Sequence, residues 1–80
     1  MKINVGCALY QDEVKEFLEK HENPTYTYLG TPNRVTLQFE VDEDDYPQDD
    51  YENICDYTKS IIKKLPFAST IQVRVDKALF

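Results

Sequence analysis

The chain is poor in the residues from which most small catalytic sites are built. Its 80 residues include no tryptophan, one histidine, two cysteines and two glycines. Two glycines exclude the Gly-rich loops that cradle phosphates, and neither G-x-G-x-x-G nor G-x-x-x-x-G-K-[ST] occurs. A single histidine leaves no pair of imidazoles for a metal or for a histidine-based triad. We therefore expect a non-enzymatic protein with no catalytic residues, no metal site and no cofactor.

Two further absences bear on the cellular compartment. Two cysteines are too few for a disulfide scaffold, and they do not form a C-x-x-C pair. No apolar run approaches the roughly 20 residues that a membrane-spanning helix needs, and no signal peptide is recognisable at the amino terminus. We expect a soluble cytoplasmic protein in which Cys7 and Cys55 serve as small apolar residues.

The hydrophobic pattern changes period along the chain and predicts six elements. Apolar residues alternate in four segments, as in strands with one buried face, and recur every three to four residues in two segments, as in amphipathic helices. The predicted strands cover residues 2–9, 25–29, 34–41 and 69–76, and the predicted helices cover residues 11–21 and 50–65. The strand residues expected to face the core are Ile3, Val5, Cys7, Leu9, Val35, Leu37, Phe39, Val41, Ile71, Val73 and Val75.

Polar residues and prolines predict where these elements begin and end. Pro24 cannot continue the first helix, which places His21 at its carboxyl end, where the helix dipole favours a positive charge. Residues 30–33 supply turn chemistry for a hairpin. Asp49 is the predicted N-cap of the second helix, and Glu52 follows three residues later as in a capping box.

The predicted order β-α-β-β-α-β defines the fold class. Helices with one apolar stripe need a sheet to cover, and alternating strands offer one apolar face, so the elements form two layers. With right-handed crossovers this is an α+β, ferredoxin-like plait: a four-stranded antiparallel sheet, strands one and three central, with two helices on one face. We expect residues 1–80 to form a single domain, since a chain of this length has room for one core.

The most prominent feature is a run of acids, here called the acidic segment (residues 40–56). It holds nine of the 15 acidic residues, and no base occurs between Arg34 and Lys59. Tyrosines, which commonly anchor protein interfaces, are interleaved with the acids. The residues expected to bind a partner are Asp42, Glu43, Asp44, Asp45, Tyr46, Asp49, Asp50, Tyr51, Glu52 and Asp56.

These residues suit a basic protein partner, because the negative electrostatic field of the acidic segment would steer its association with a basic groove. One such class is nucleic-acid-binding proteins. Carboxylates three to four residues apart on a helix lie roughly 5–6 Å apart. Successive phosphates along a DNA strand are spaced at a comparable interval. The sharpest interpretation is a nucleic-acid mimic that blocks the partner's site, as small acidic anti-restriction and anti-CRISPR proteins do as a class. This parallel rests on charge alone, because no motif matches.

Other interpretations stay open. The charge of the acidic segment is equally well explained as a solvated surface that only keeps the protein soluble. The alternative function is that of a regulatory domain that senses a small ligand or a divalent cation. An EF-hand loop is excluded, because a loop starting at Asp42 has Pro47 at the glycine position and Asn53 at the glutamate position. Direct binding of nucleic acid is not expected, because Phe39 points inward and strand one carries no outward aromatic. No membrane partner is expected, and the edge strands leave homodimerisation open.

Overall fold

The computed structural model describes residues 1–79 and confirms a small α+β domain with a four-stranded antiparallel sheet and two helices. The strands are β1 (Lys2–Gly6), β2 (Thr27–Asn33), β3 (Thr36–Glu40) and β4 (Arg74–Lys77). The helices are α1 (Gln11–Glu19) and α2 (Ile54–Ile62), and a 3-10 turn (Ala68–Thr70) precedes β4. Neither helix is long and apolar enough to cross a membrane, and the same holds throughout residues 1–79.

The strands are ordered β2-β3-β1-β4, and every neighbouring pair is antiparallel. β1 is therefore central: Val5 pairs with Leu37 of β3 on one side and with Val75 of β4 on the other. β2 and β4 are the edges. The pairing of β2 with β3 shifts register on both sides of Gly30, whose φ of 142° favours glycine.

One face of the sheet is covered by apolar side chains from both helices. Ile3, Val5, Leu37 and Phe39 are almost completely buried because alternate residues of β1 and β3 share a face. The helical residues that complete this single core are Val14, Leu18, Ile54, Ile61 and Ile62. The inward orientation predicted for Phe39 is confirmed, since its side chain is 0% exposed.

Several boundaries in the first half of the chain differ from the prediction. β1 ends at Gly6, and Tyr10 takes a left-handed conformation (φ 60°) where α1 begins, so Leu9 is 60% exposed rather than buried. α1 ends at Glu19, which leaves His21 beyond the helix. The predicted turn at residues 30–33 belongs to β2, and the chain turns at Arg34 and Val35. Val35 is therefore 49% exposed and does not face the core.

The second half differs in the same way. α2 begins at Ile54 with Asn53 as its N-cap, so the predicted capping box at Asp49 and Glu52 is wrong. The helix also ends at Ile62, before the predicted end at Leu65. β4 begins only at Arg74, because Ser69 lies in the 3-10 turn. Ile71, Val73 and Val75 are partly buried and pack against the core, as their alternation indicates.

Candidate functional site

The acidic segment lies at one end of the sheet, between the end of β3 and the first turn of α2. All nine of its acidic side chains are exposed. Glu40 lies 3.5 Å from the amino terminus of Met1, and within residues 1–79 the other acids of the segment make no ion pair. These carboxylates therefore act together as an uncompensated negative surface.

The backbone of the segment is held by local hydrogen bonds. The Asp42 carboxylate accepts the N–H of Asp44 at 2.9 Å, and the Gln48 amide donates to the Asp44 carbonyl at 2.9 Å. Pro47 offers its carbonyl to the N–H of Asp50 at 3.0 Å. These bonds give the segment a defined path although residues 41–53 contain no helix or strand.

Tyrosine rings fasten the segment to α2. Tyr57, on α2, contacts Tyr51 edge-to-face at 5.3 Å between ring centroids and Tyr46 in a tilted contact at 6.5 Å. The Tyr46 hydroxyl also donates to the carbonyl of Glu52 at 3.1 Å. All three tyrosines are half-buried. Part of each ring thus packs against another tyrosine, and the rest of its surface is exposed beside the carboxylates.

His21 continues this aromatic contact towards the core. Its ring lies edge-on to Tyr57 at 6.1 Å and to Tyr26 at 5.6 Å, and its Nδ1 atom lies 2.8 Å from the carbonyl of Pro24. Because a carbonyl can only accept, Nδ1 carries the proton and donates it. His21 therefore bridges the end of α1 and α2. It directly follows Lys20, the C-cap of α1, and its N–H donates to the carbonyl of Leu18, so it lies just beyond the helix rather than in its last turn.

The start of α2 changes how the carboxylates are arranged. The Asn53 side chain accepts the N–H of Asp56 at 2.9 Å, which is N-cap geometry. Asp56 is therefore the one acidic residue of the segment that lies on α2. The expected helical spacing of the carboxylates does not occur, because the other acids of the segment precede α2.

Both cysteines are free thiols. Cys7 is 2% exposed, and burial raises the pKa of its thiol. Burial also raises the pKa of the half-buried Cys55, and the neighbouring carboxylates of Asp76 and Asp56 raise it further. A raised pKa keeps a thiol protonated at neutral pH, which makes it a poor nucleophile.

Within residues 1–79 no group of three or more His, Cys, Asp or Glu side chains is arranged to hold a metal ion. The structure brings together Asp42 and Asp44 through their turn, and Tyr46 and Tyr51 through Tyr57. Glu43, Asp45, Asp49 and Asp50 project from the same loop without side-chain partners in the described chain. Tyr57 and His21 belong to this site but were not among the residues expected to bind a partner, although Tyr57 directly follows Asp56 and is one of the tyrosines interleaved with the acids.

No protein-family model matches the chain, and no match was found among curated proteins or among solved structures.

Proposed function

We propose that this domain is a non-enzymatic module that binds a basic protein through the acidic segment. The observation that carries the proposal is the concentration of exposed, unpaired carboxylates at one end of the molecule. Such a field attracts a basic surface over a distance of about one Debye length, roughly 8–10 Å at physiological salt. It therefore raises the rate of association with the correct end of the domain facing the partner.

The fixed path of the segment supports binding rather than solubility alone. A flexible acidic tail would lose conformational entropy on binding, whereas a loop held by Asp42, Gln48 and the Tyr57 ring contacts loses less. The exposed parts of Tyr46 and Tyr51 add apolar contact area beside the charges. Tyrosine is enriched at protein interfaces and among the residues that dominate binding energy.

The partner class we propose is a nucleic-acid-binding protein, whose basic groove is shaped for an array of negative charges. The domain then acts as an inhibitor that occupies this groove. The helical spacing of carboxylates does not support this role, because only Asp56 lies on α2. The support is the density of charge and its rigid presentation.

We propose in addition that the fold is the ferredoxin-like plait. Its support is the strand order β2-β3-β1-β4, with β1 and β3 central and all neighbours antiparallel. A single core that combines buried residues of both helices with one face of the sheet is also expected of that fold. The plait positions the segment by placing the β3–α2 connection at one end of the sheet.

The test compares two variants that have the same net charge. Asn preserves the acceptor with which Asp42 fixes its turn, so the first variant changes Asp42, Asp44, Asp45, Asp49 and Asp50 to Asn. The control neutralises five acids on and after α1 by the changes Asp12→Asn, Glu13→Gln, Glu16→Gln, Glu19→Gln and Glu22→Gln. Each raises the formal charge from −6 to −1.

Each protein is used to capture partners from a nuclease-treated lysate at low and high salt. We expect the wild type and the α1 control to capture the same basic nucleic-acid-binding protein at low salt, and the segment variant to lose it. Once that protein is purified and loaded with a nucleic-acid probe, added wild-type domain should displace the probe. Equal capture by the wild type and the segment variant, or capture without displacement, would contradict the proposal.

A further inference from the structure

A groove lies on the sheet face opposite the core, at the carboxyl end of β1 and the amino end of β4. Its volume is about 600 Å³, which falls within the range of roughly 300–1,000 Å³ typical of small-molecule sites. The residues that line it are Asn4, Gly6, Cys7, Ala8, Leu9, Val35, Thr36, Thr70, Ile71, Gln72, Arg74 and Asp76. None of them belongs to the acidic segment, so this groove is a separate site.

One end of the groove is apolar. Leu9 is 60% exposed and Val35 is 49% exposed, although both are large aliphatic residues. Ala8 and the half-buried Ile71 lie with them along the wall. Exposed aliphatic side chains that converge on a concavity are a common sign of a binding site.

The floor of the groove is open because Gly6 has no side chain. Gly6 follows the buried Val5, so its missing Cβ would point onto the open face of the sheet. A Cβ built there would lie 3.7 Å from its nearest neighbours, Arg74 and the Val35 carbonyl, which is ordinary contact. The backbone therefore tolerates a side chain at this position, and a bulky one would fill the groove.

The charges along the groove are arranged in order. Arg74 is paired with Gly6 across the β1–β4 ladder, next to the apolar end, and makes no ion pair within residues 1–79. Asp76 is paired with Asn4 and lies one alternation further along the strand, about 7 Å away between Cα atoms. Along the groove, an acidic residue is thus followed by a basic residue and then by the apolar wall.

We propose that this groove binds a small monocarboxylate with a compact aliphatic tail. The carboxylate pairs with the guanidinium of Arg74, a planar group suited to two parallel hydrogen bonds. The tail lies over Gly6 and against Leu9, Val35 and Ile71. Asn4 and Gln72 are neutral polar groups that line the remaining wall.

Asp76 gives this proposal a distinguishing consequence. Asp76 lines the groove one alternation beyond Arg74, away from the apolar wall, and its negative charge repels a bound anion. Removing its charge should therefore strengthen binding, whereas removing the charge of Arg74 should weaken it. A groove that bound ligands through apolar contact alone would respond to neither change.

The experiment is a titration of the full chain with butanoate, hexanoate and octanoate, followed by amide chemical shifts. We expect saturable shifts at Gly6, Leu9, Thr36 and Arg74, with affinity rising by up to about fourfold for each added methylene. Hexanol and hexylammonium serve as neutral and cationic probes of matched length. Both should bind at least about tenfold more weakly than hexanoate, because hexanol offers Arg74 only one uncharged acceptor and hexylammonium is repelled by it.

Three variants complete the test. Arg74→Gln should weaken hexanoate binding about tenfold, Gly6→Val should abolish it by filling the groove, and Asp76→Asn should strengthen it. Urea unfolding of each variant separates loss of the site from loss of the fold. The proposal is overturned if the carboxylates shift no amides at the groove, if hexanol or hexylammonium binds as tightly as hexanoate, or if folded Arg74→Gln binds like the wild type.

Discussion

The hydroxyl of Tyr26 lies 2.7 Å from the hydroxyl of Thr58, inside the core and 32 residues away along the chain. Thr58 is 0% exposed, and its own proton is directed to the carbonyl of Ile54 at 2.7 Å. Since a hydroxyl has one proton to donate, the Tyr26 hydroxyl is the donor to Thr58. This bond joins the segment before β2 to the middle of α2.

The direction of this bond predicts unequal effects of removing its two ends. Tyr26→Phe removes the donor and should lower the free energy of unfolding by about 1 kcal/mol. Thr58→Val leaves the buried Tyr26 hydroxyl without an acceptor and should cost about 2 kcal/mol. The double variant should cost less than the sum, because it leaves no orphaned hydroxyl. Urea unfolding of the four proteins measures this cycle, with Tyr10→Phe as an exposed control; additive losses would contradict it.

Tyr26 also predicts how stability depends on alkaline pH. Burial is the main cause that raises the pKa of Tyr26 from 10.0 to about 12. In the unfolded chain the phenol ionises near pH 10, so between pH 10 and 12 the unfolded state releases a proton that the folded state retains. The contribution of Tyr26 to stability is therefore complete below pH 10 and is lost as the pH rises through about 12.

Unfolding measured from pH 9 to 12 should show this loss as a difference between two proteins. The wild type should lose stability more steeply than Tyr26→Phe, and the two curves should run parallel below pH 10. The tyrosinate absorbance of the folded wild type should include one phenol that ionises at a higher pH than the others. This phenol should be missing from Tyr26→Phe. Parallel curves across the whole range would show that Tyr26 is not the titrating group.

The N-cap of α2 predicts a contrast between two polar residues four positions apart. Asn53→Ala removes the acceptor for the N–H of Asp56 and should cost about 1 kcal/mol of stability. Asp49→Ala lies outside the helix and should change stability by less than about 0.5 kcal/mol. Thermal or urea unfolding measures both changes in stability. A larger loss of stability for Asp49→Ala than for Asn53→Ala would show that Asp49, and not Asn53, caps α2.

The cysteines predict an order of reactivity. Cys55 is half-buried and Cys7 is buried, so a thiol reagent should label Cys55 first and Cys7 only when the chain opens. Asp56→Asn and Asp76→Asn each remove a charge that raises the pKa of Cys55, so both should speed its labelling. Asp12→Asn is the distant control. Faster labelling of Cys7 than of Cys55 would contradict the burial described for the two residues.

Periodicity predicted the core of this fold well. Val5 and Phe39 alternate with polar neighbours, and that alternation alone decides which face of a strand is buried. The order of strands and helices follows from the same pattern. Val35 shows where this reasoning fails. It alternates in step with Leu37 and Phe39, but it lies in the turn before β3 and is therefore exposed.

The candidate site was predictable in its charge but not in its frame. Exposure of the acids follows from the cost of burying unpaired carboxylates. The choice of Asn53 over Asp49 as N-cap does not follow from local sequence, since both residues are good caps. In the structure, Tyr46 and Tyr51 contact Tyr57, and packing of this kind overrides local preferences. The contact of Tyr57 with His21 spans 36 residues and no local pattern indicates it.

The edges of the sheet have a consequence for aggregation. β2 carries Pro32, which has no N–H to offer, and its register shifts interrupt the ladder at Gly30. β4 is only four residues long and carries three charged side chains. An incoming strand therefore finds no regular template on the folded domain. Fibril growth should proceed through the unfolded chain, so its rate should follow the unfolded population and any variant that stabilises the core should delay it.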